Sequence, residues 1–195
     1  MRKLIFFLGG AGAGKTTLAK ALAKRHPAAV LDMDSLSRPA SEALMKLAGL
    51  DPNDRDSPEY KALCRDLGYR LTMNAALDNL EIGTDAIVIG PFTKEVEDPA
   101  WLDRELARIG ASTRDVDVKV VFVYLRYEND YRRRIEGRDS VLDRWKLENW
   151  EKFKTSLAKR EVKWRLPAGS VVEFDNSEPL TDDTVLRLAG LVYGE

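Results

Sequence analysis

The chain has 195 residues, 44% hydrophobic and 32% charged, with 31 basic against 32 acidic side chains. That suits one packed domain and excludes disorder or a collagen-like repeat. A net charge of -1, one cysteine (Cys64) and one histidine (His26) exclude a globally basic nucleic-acid binder, a disulfide framework and a His- or Cys-rich metal cage. Carboxylates, lysines, arginines and backbone are left to carry any chemistry. No apolar run approaches the roughly 20 residues of a membrane span. Leu4-Ile5-Phe6-Phe7-Leu8 is also too short for the core of an export signal, so a cytoplasmic protein is expected.

In chain order, the apolar run at 3–8 reads as a strand. It leads into Gly9-Gly10-Ala11-Gly12-Ala13-Gly14-Lys15-Thr16, which satisfies G-x-x-x-x-G-K-[ST], and a helix over 15–25 follows, ended by His26-Pro27. Glycines let successive N–H groups turn inward as an anion nest, and the helix directs its positive dipole end at the same anion. Lys15 then reaches the β- and γ-phosphates of a nucleotide, Thr16 offers a hydroxyl to Mg²⁺, and Thr17 touches the α-phosphate. The motif leaves base and reaction open, since the guanine-reading N-K-x-D and the transporter L-S-G-G-Q are both missing.

A second strand over 28–33 contains Asp32-Met33-Asp34, followed by Ser35. In a parallel sheet whose first loop binds phosphate, other strand ends open on the same crevice, and period-two geometry turns Asp32 and Asp34 to one side. Asp32 can hold Mg²⁺ through water while Asp34 takes or orients the proton of an acceptor hydroxyl. Alternatively, Asp34-Ser35 caps the next helix. Residues 35–81 form a helical insertion of 47 residues, with a turn-rich break at 51–58 and a helix over 59–80. The apolar stripe Leu63, Leu67 and Leu71 of that helix gives way to Arg70, Asn74 and Asp78, which either face an acceptor or lie in solvent.

The third strand, 85–89, runs into Gly90-Pro91-Phe92 with no acidic residue in the usual Walker-B place, and Phe92 is a candidate to pack on an acceptor. A helix over 98–109 and a strand over 116–125 precede a helix over 127–137 with Arg132, Arg133, Arg134 and, just beyond, Arg138. If that helix runs through Gly137, Arg134 and Arg138 stack on one face and offer two guanidinium forks to a transferring phosphoryl group. Arg126 and Arg133 are spare candidates, and a solvated basic face is the alternative. A long helical stretch at 142–164 aligns Leu142, Lys146, Trp150, Phe153, Leu157 and Trp164. Residues 126–165 hold 13 basic and 8 acidic side chains, a net of +5 against 18 minus 24, or -6, elsewhere. A strand over 170–174 and a helix over 181–192 close the pattern. The alternation predicts a single α/β domain over 1–195, with 35–81 as an acceptor-binding insertion and 126–165 as a lid and following basic helix.

These residues resemble the P-loop small-molecule kinases: shikimate, gluconate and adenylate kinases, and more closely the bacterial zeta-toxin-like and chloramphenicol-phosphotransferase-like ATP-binding proteins. The resemblance spans the chain in element order, and only the motif at 9–16 is highly specific. It implies a three-layer P-loop NTPase fold with a five-stranded parallel sheet of order 2-3-1-4-5, ATP and Mg²⁺ as cofactors, and phosphoryl transfer to a small hydroxylated acceptor. It further implies that Arg134 and Arg138 act as lid arginines and that Asn176, within Asp175-Asn176-Ser177, lies where adenine is held. Asp143 and Lys146 resemble a D-x-x-K after that lid, to which no role attaches. Gly90-Pro91-Phe92 matches neither the glycine run of shikimate kinase nor the D-G-[FY]-P-R of adenylate kinase, so neither shikimate nor a nucleoside monophosphate is the expected acceptor. Two other readings fit the same residues: a nucleic-acid 5'-end kinase with 126–165 against the strand, and a nucleotide-gated module whose lid signals to a protein partner.

Overall fold

The computed structural model describes residues 1–194. Its five strands are β1 (Arg2–Leu8), β2 (Ala29–Asp32), β3 (Ala86–Ile89), β4 (Val116–Tyr124) and β5 (Val171–Asp175), all parallel, in the order β2-β3-β1-β4-β5. The near-continuous apolar runs of β1 and β3 follow from burial on both faces. One face packs Leu4, Phe6 and Val88 against α3 (Pro58–Glu81) and α4 (Trp101–Ala107). The opposite face packs Ile5, Phe7 and Ile87 against α1 (Lys15–Arg25) and, near the far edge, α8 (Asp182–Tyr193). Each such side chain contributes about 2 kcal/mol of hydrophobic stabilisation. The register sets Leu8 beside Phe122 and Asp32 beside Ile89, so the carboxyl ends of the strands open along one edge.

Four local expectations change. Strand β2 stops at Asp32, and α2 (Met33–Leu47) begins at the next residue. The Asp32 carboxylate accepts from the Asp34 N–H at 3.0 Å and the Ser35 N–H at 3.4 Å, capping α2. Asp32 and Asp34 are therefore brought together by a helix cap, and strand alternation plays no part. In α3 the buried line is Cys64, Gly68, Thr72 and Ala76 with Tyr69, Met73, Leu77 and Leu80, whereas Leu63 is exposed. At Gly68 the helix faces α2, where an added Cβ would meet Ser37 and Met33 at an ordinary contact distance of 3.4 Å.

The stretch 142–164 is not one helix. A 3-10 turn (Val141–Asp143), α6 (Arg144–Glu148), α7 (Trp150–Phe153) and a second 3-10 turn (Lys154–Leu157) follow one another, and 158–170 is irregular. Trp150 and Phe153 bury in the cluster shared with α1 and α8, while Trp164 joins Phe6 and Trp101 on the opposite face of the sheet. One straight helix cannot reach both faces. Upstream, α5 (Glu128–Glu136) ends one residue early with Gly137 as its C-cap, so Arg138 lies beyond the helix.

Candidate active site

The turn after β1 wraps the first end of α1. Gly9, Gly12 and Gly14 have φ of 130, 86 and 91°, the left-handed region open to glycine. Close approach adds a second constraint: a Cβ on Gly9 would collide with the Val123 carbonyl, and one on Gly14 with the Asn176 amide. No side chain caps α1, so its first N–H groups face the loop interior as an unsatisfied, electropositive set. The Lys15 ammonium folds back over the turn, donating to the Gly9 and Gly10 carbonyls at 2.9 Å each. Burial lowers its pKa from 10.5 to about 8, with Arg138 and Lys146 pushing the same way and Asp34 and Asp32 opposing.

The cleft above this turn has a volume of about 1020 Å³. Gly9, Gly10, Ala11, Gly14, Lys15, Thr16 and Thr17 line it. Gly12 and Ala13 form the underside of the turn. Gly12 rests on Tyr131 and Ile135 of α5, and the buried Ala13 offers its carbonyl to the Asn176 side-chain amide at 2.7 Å. Asp32 accepts a hydrogen bond from the Thr16 hydroxyl at 2.6 Å. Among the described residues no group of three or more His, Cys, Asp or Glu is placed to hold a metal alone. One hydroxyl and two nearby carboxylates fit Mg²⁺, which keeps waters and phosphate oxygens as its other ligands.

Asp34 lies in the first turn of α2, on the cleft wall. Although its side chain reaches solvent, protein surrounds it closely. Burial and the Asp32 charge raise its pKa, and Lys15, Lys146 and Arg55 restrain the rise. An elevated carboxyl pKa suits proton transfer from a hydroxyl.

The arginines separate. Arg138 lines the cleft and pairs at 3.7 Å with Asp143. Arg134 instead donates to the Asn176 carbonyl at 2.8 Å, beside Gly14 and behind the turn. The geometric reason is the early end of α5, which leaves the two on diverging paths. Arg126 pairs with Asp175 and Arg133 with Asp130, so both spare candidates are tied down outside the cleft. Asn176 is buried under the turn, its amide committed to Ala13, and acts as a brace there. Phe92 is 0% exposed, φ 42°, packed edge-on against Phe6 and Tyr69 at 5.2 and 5.0 Å; it is core and does not face an acceptor. Arg70 and Asn74 bind Glu105 and Arg108 near α4, away from the cleft.

Sequence reasoning placed an acceptor-binding insertion at 35–81 but did not single out its basic residues. Arg55 is held by the Pro52 and Asp54 carbonyls at 3.0 and 2.9 Å and lies over the Tyr60 ring at 5.1 Å. Its second terminal nitrogen is buried without a hydrogen bond. Arg38, Lys61, Arg65 and Lys94 line the same end. The available signal was a lone arginine in the acidic Asp51-Pro52-Asn53-Asp54-Arg55-Asp56 break.

A phosphate-cradling turn, an uncapped helix end and the 2-3-1-4-5 parallel sheet define the chain as an α/β P-loop domain. A family described as an AAA domain matches residues 4–160, and the chain belongs to that family. No functionally curated protein matches it in sequence. Among solved structures, a sugar kinase from Janibacter sp. is similar at 15% identity, covering 99% of this chain and 95% of that one, with a TM-score of 0.63. A gluconokinase from Sinorhizobium meliloti gives 16% identity, 100% and 98% coverage and 0.54. The APS kinase of Mycobacterium tuberculosis, in complex with AMPPNP and APS, gives 16%, 98% and 98%, and 0.56. At these identities the likeness concerns the fold. Among the described residues no helix is long and apolar enough to cross a membrane.

Proposed function

We propose that the protein is an ATP-dependent kinase that moves the γ-phosphoryl group of Mg-ATP to a hydroxyl of a small molecule carrying an anionic group. The observation that carries this reading is a single cleft lined by Lys15, Thr16, Asp32 and Asp34, in which the Thr16 hydroxyl donates to Asp32 at 2.6 Å. In this reading the main-chain N–H groups of residues 9–17 and the Lys15 ammonium bind the triphosphate. Thr16 and Asp32 would hold Mg²⁺, which would supply positive charge against the phosphates. Asp34 accepts the acceptor proton and orients the attacking oxygen toward the γ-phosphorus. Arg138 faces the developing charge, while Arg134 and Asn176 steady the turn from behind. The insertion, 35–81, forms the acceptor wall, and 126–165 the cover over the nucleotide.

The anionic group is inferred from the wall itself. The second terminal nitrogen of Arg55 makes no hydrogen bond and only a long 3.9 Å ion pair with Glu42, and Lys61 and Lys94 have no ion-pair partner among the described residues. Such a set favours a carboxylate or phosphate ester over a neutral polyol. Much of the basic charge of 126–165 is committed locally: Arg126 to Asp175, Arg132 to Glu136, Lys154 to Glu151, Arg160 to Glu97. That leaves no argument for a nucleic-acid strand, and no observation favours a protein partner. Closeness to the zeta-toxin-like and chloramphenicol-phosphotransferase-like proteins rests on the sequence motifs alone. The test is a panel of neutral and anionic hydroxyl compounds offered with Mg-ATP, reading ADP release, with Lys15→Ala as background. Acceptor-stimulated release confined to anionic compounds and lost in Lys15→Ala is expected; equal release by Lys15→Ala would refute the assignment.

A further inference from the structure

Lys146 belongs neither to the P-loop nor to the acceptor insertion, yet it lines the cleft between them. Its ammonium donates to the Asp143 carboxylate at 2.6 Å and to the Leu142 carbonyl at 3.2 Å. Asp143 is 5% exposed and has the Arg138 guanidinium at 3.7 Å on its other oxygen. A buried carboxylate is costly unless paired, and this one is paired twice over. Two cations against one anion leave the cleft wall with a surplus positive charge.

The supporting backbone is wound tightly. Asp139 has φ 46°, rare for a residue with a side chain, and such strain persists where the surroundings over-determine it. The Asp143 N–H donates to the Ser140 carbonyl at 2.9 Å, and the Leu142 N–H to the Ser140 hydroxyl at 3.3 Å. A surface ion pair needs none of this. The arrangement fixes where the ammonium stands.

That place is indicated by the cleft itself. Lys146 lines it together with Lys15 of the P-loop and with Asp34 and Asp56 of the acceptor wall. The ammonium therefore faces a space bounded by the phosphate cradle and the acceptor end. Main-chain amides and Lys15 approach a bound γ-phosphoryl group from the loop side, and the facing side requires a second donor as charge spreads over its equatorial oxygens.

We propose that Lys146, oriented by Asp143, is a catalytic residue that contacts the transferring phosphoryl oxygens from the side opposite Lys15. The proposal rests on the phosphotransferase reading above. In the step itself the bond from the γ-phosphorus to the β–γ bridging oxygen breaks, and one to the acceptor oxygen forms. The acceptor proton passes to Asp34; Lys146 keeps its protons and contributes charge alone.

The test uses the intact chain with two probes, Mg-ADP alone and Mg-ADP with aluminium fluoride, a mimic of the phosphoryl group in flight. Wild type should bind the fluoride complex more tightly than Mg-ADP. Lys146→Met should weaken the fluoride complex about 100-fold while changing Mg-ADP affinity by less than about fivefold. Lys146→Arg should recover part of the loss. Asp143→Asn should follow Lys146→Met at smaller amplitude; because Asp143 is buried, the two Lys146 variants decide the matter. Lys146→Met binding both probes as wild type does, or weakening both equally, would overturn the proposal. A wild type that binds Mg-ADP but gains nothing from aluminium fluoride would instead sink the phosphotransferase reading, and this assignment with it.

Discussion

The pKa of Lys15 turns nucleotide affinity into a function of pH. In the free protein, burial holds the ammonium at about 8. A bound triphosphate surrounds the same nitrogen with negative oxygens and restores its preference for the charged form. Binding therefore requires the protonated lysine, and above the free-protein value a proton must be taken up. The sign follows directly: affinity is flat below about pH 8 and falls roughly tenfold per unit above it. With a free value of about 8, the charged fraction is about 0.9 at pH 7 and about 0.03 at pH 9.5, so affinity drops about 30-fold, or about 2 kcal/mol, across that window. The window lies above the range in which phosphate oxygens titrate, so the nucleotide adds little slope of its own. Calorimetry of Mg-AMPPNP binding in two buffers of different ionisation heat reads both quantities. Uptake of about half a proton at pH 8 and about 0.9 at pH 9 is expected. Lys15→Arg, whose guanidinium stays charged throughout, should bind with no such slope. A wild-type affinity that stays level across the window, or a slope that survives in Lys15→Arg, would refute the reasoning.

Removing the brace under the P-loop should cost both stability and binding. Asn176→Ala strands the buried Ala13 carbonyl, a loss of about 1–3 kcal/mol, so a melting point lower by roughly 3–10 °C is expected, with weaker Mg-ADP binding; unchanged melting would remove the brace from the account. For Asp34, whose pKa burial and Asp32 raise, phosphoryl transfer should fall as pH drops through the raised value and the carboxylate takes a proton. Asp34→Asn should bind Mg-ADP normally and transfer at least about 100-fold more slowly, and a kcat near wild type would dismiss the base.

The sheet order and the phosphate cradle were legible because their causes are local. Residues 4–8 and 86–89 are apolar throughout, as two-sided burial demands, and the glycines at 9–14 announce a backbone conformation that other residues resist. The acceptor side was less legible. Asp32 and Asp34 do lie near the cradle, but strand alternation is not the reason, since a carboxylate directly before a helix-forming run caps that helix. Phe92 offered an exposed-looking corner in sequence, and only the aromatic cluster of Phe6, Tyr69 and Trp101 shows why it turns inward. The stripe through Trp150, Phe153 and Trp164 satisfied helical spacing while its members belong to opposite faces of the sheet. Spacing reports what one helix could do and is silent on which face of a neighbouring sheet each residue will find.

The P-loop motif is short, but the loop it describes is a tertiary object. Four segments far apart in sequence hold it: the Val123 carbonyl behind Gly9, Tyr131 and Ile135 of α5 under Gly12, Leu157 against Gly10, and Asn176 beneath Ala13 and Gly14. Three of these segments lie in or beside 126–165, the stretch that also carries Arg138, Asp143 and Lys146 to the opposite wall of the cleft. A displacement of α5 would therefore act on the cradle and on the cations above it together. Nucleotide contact on one side and charge supplied from the other are joined through a single helix and the turns that follow it. The concentration of basic residues there reflects that double duty, because a segment meeting phosphate from above and bracing its cradle from below needs cations on one side and apolar anchors on the other.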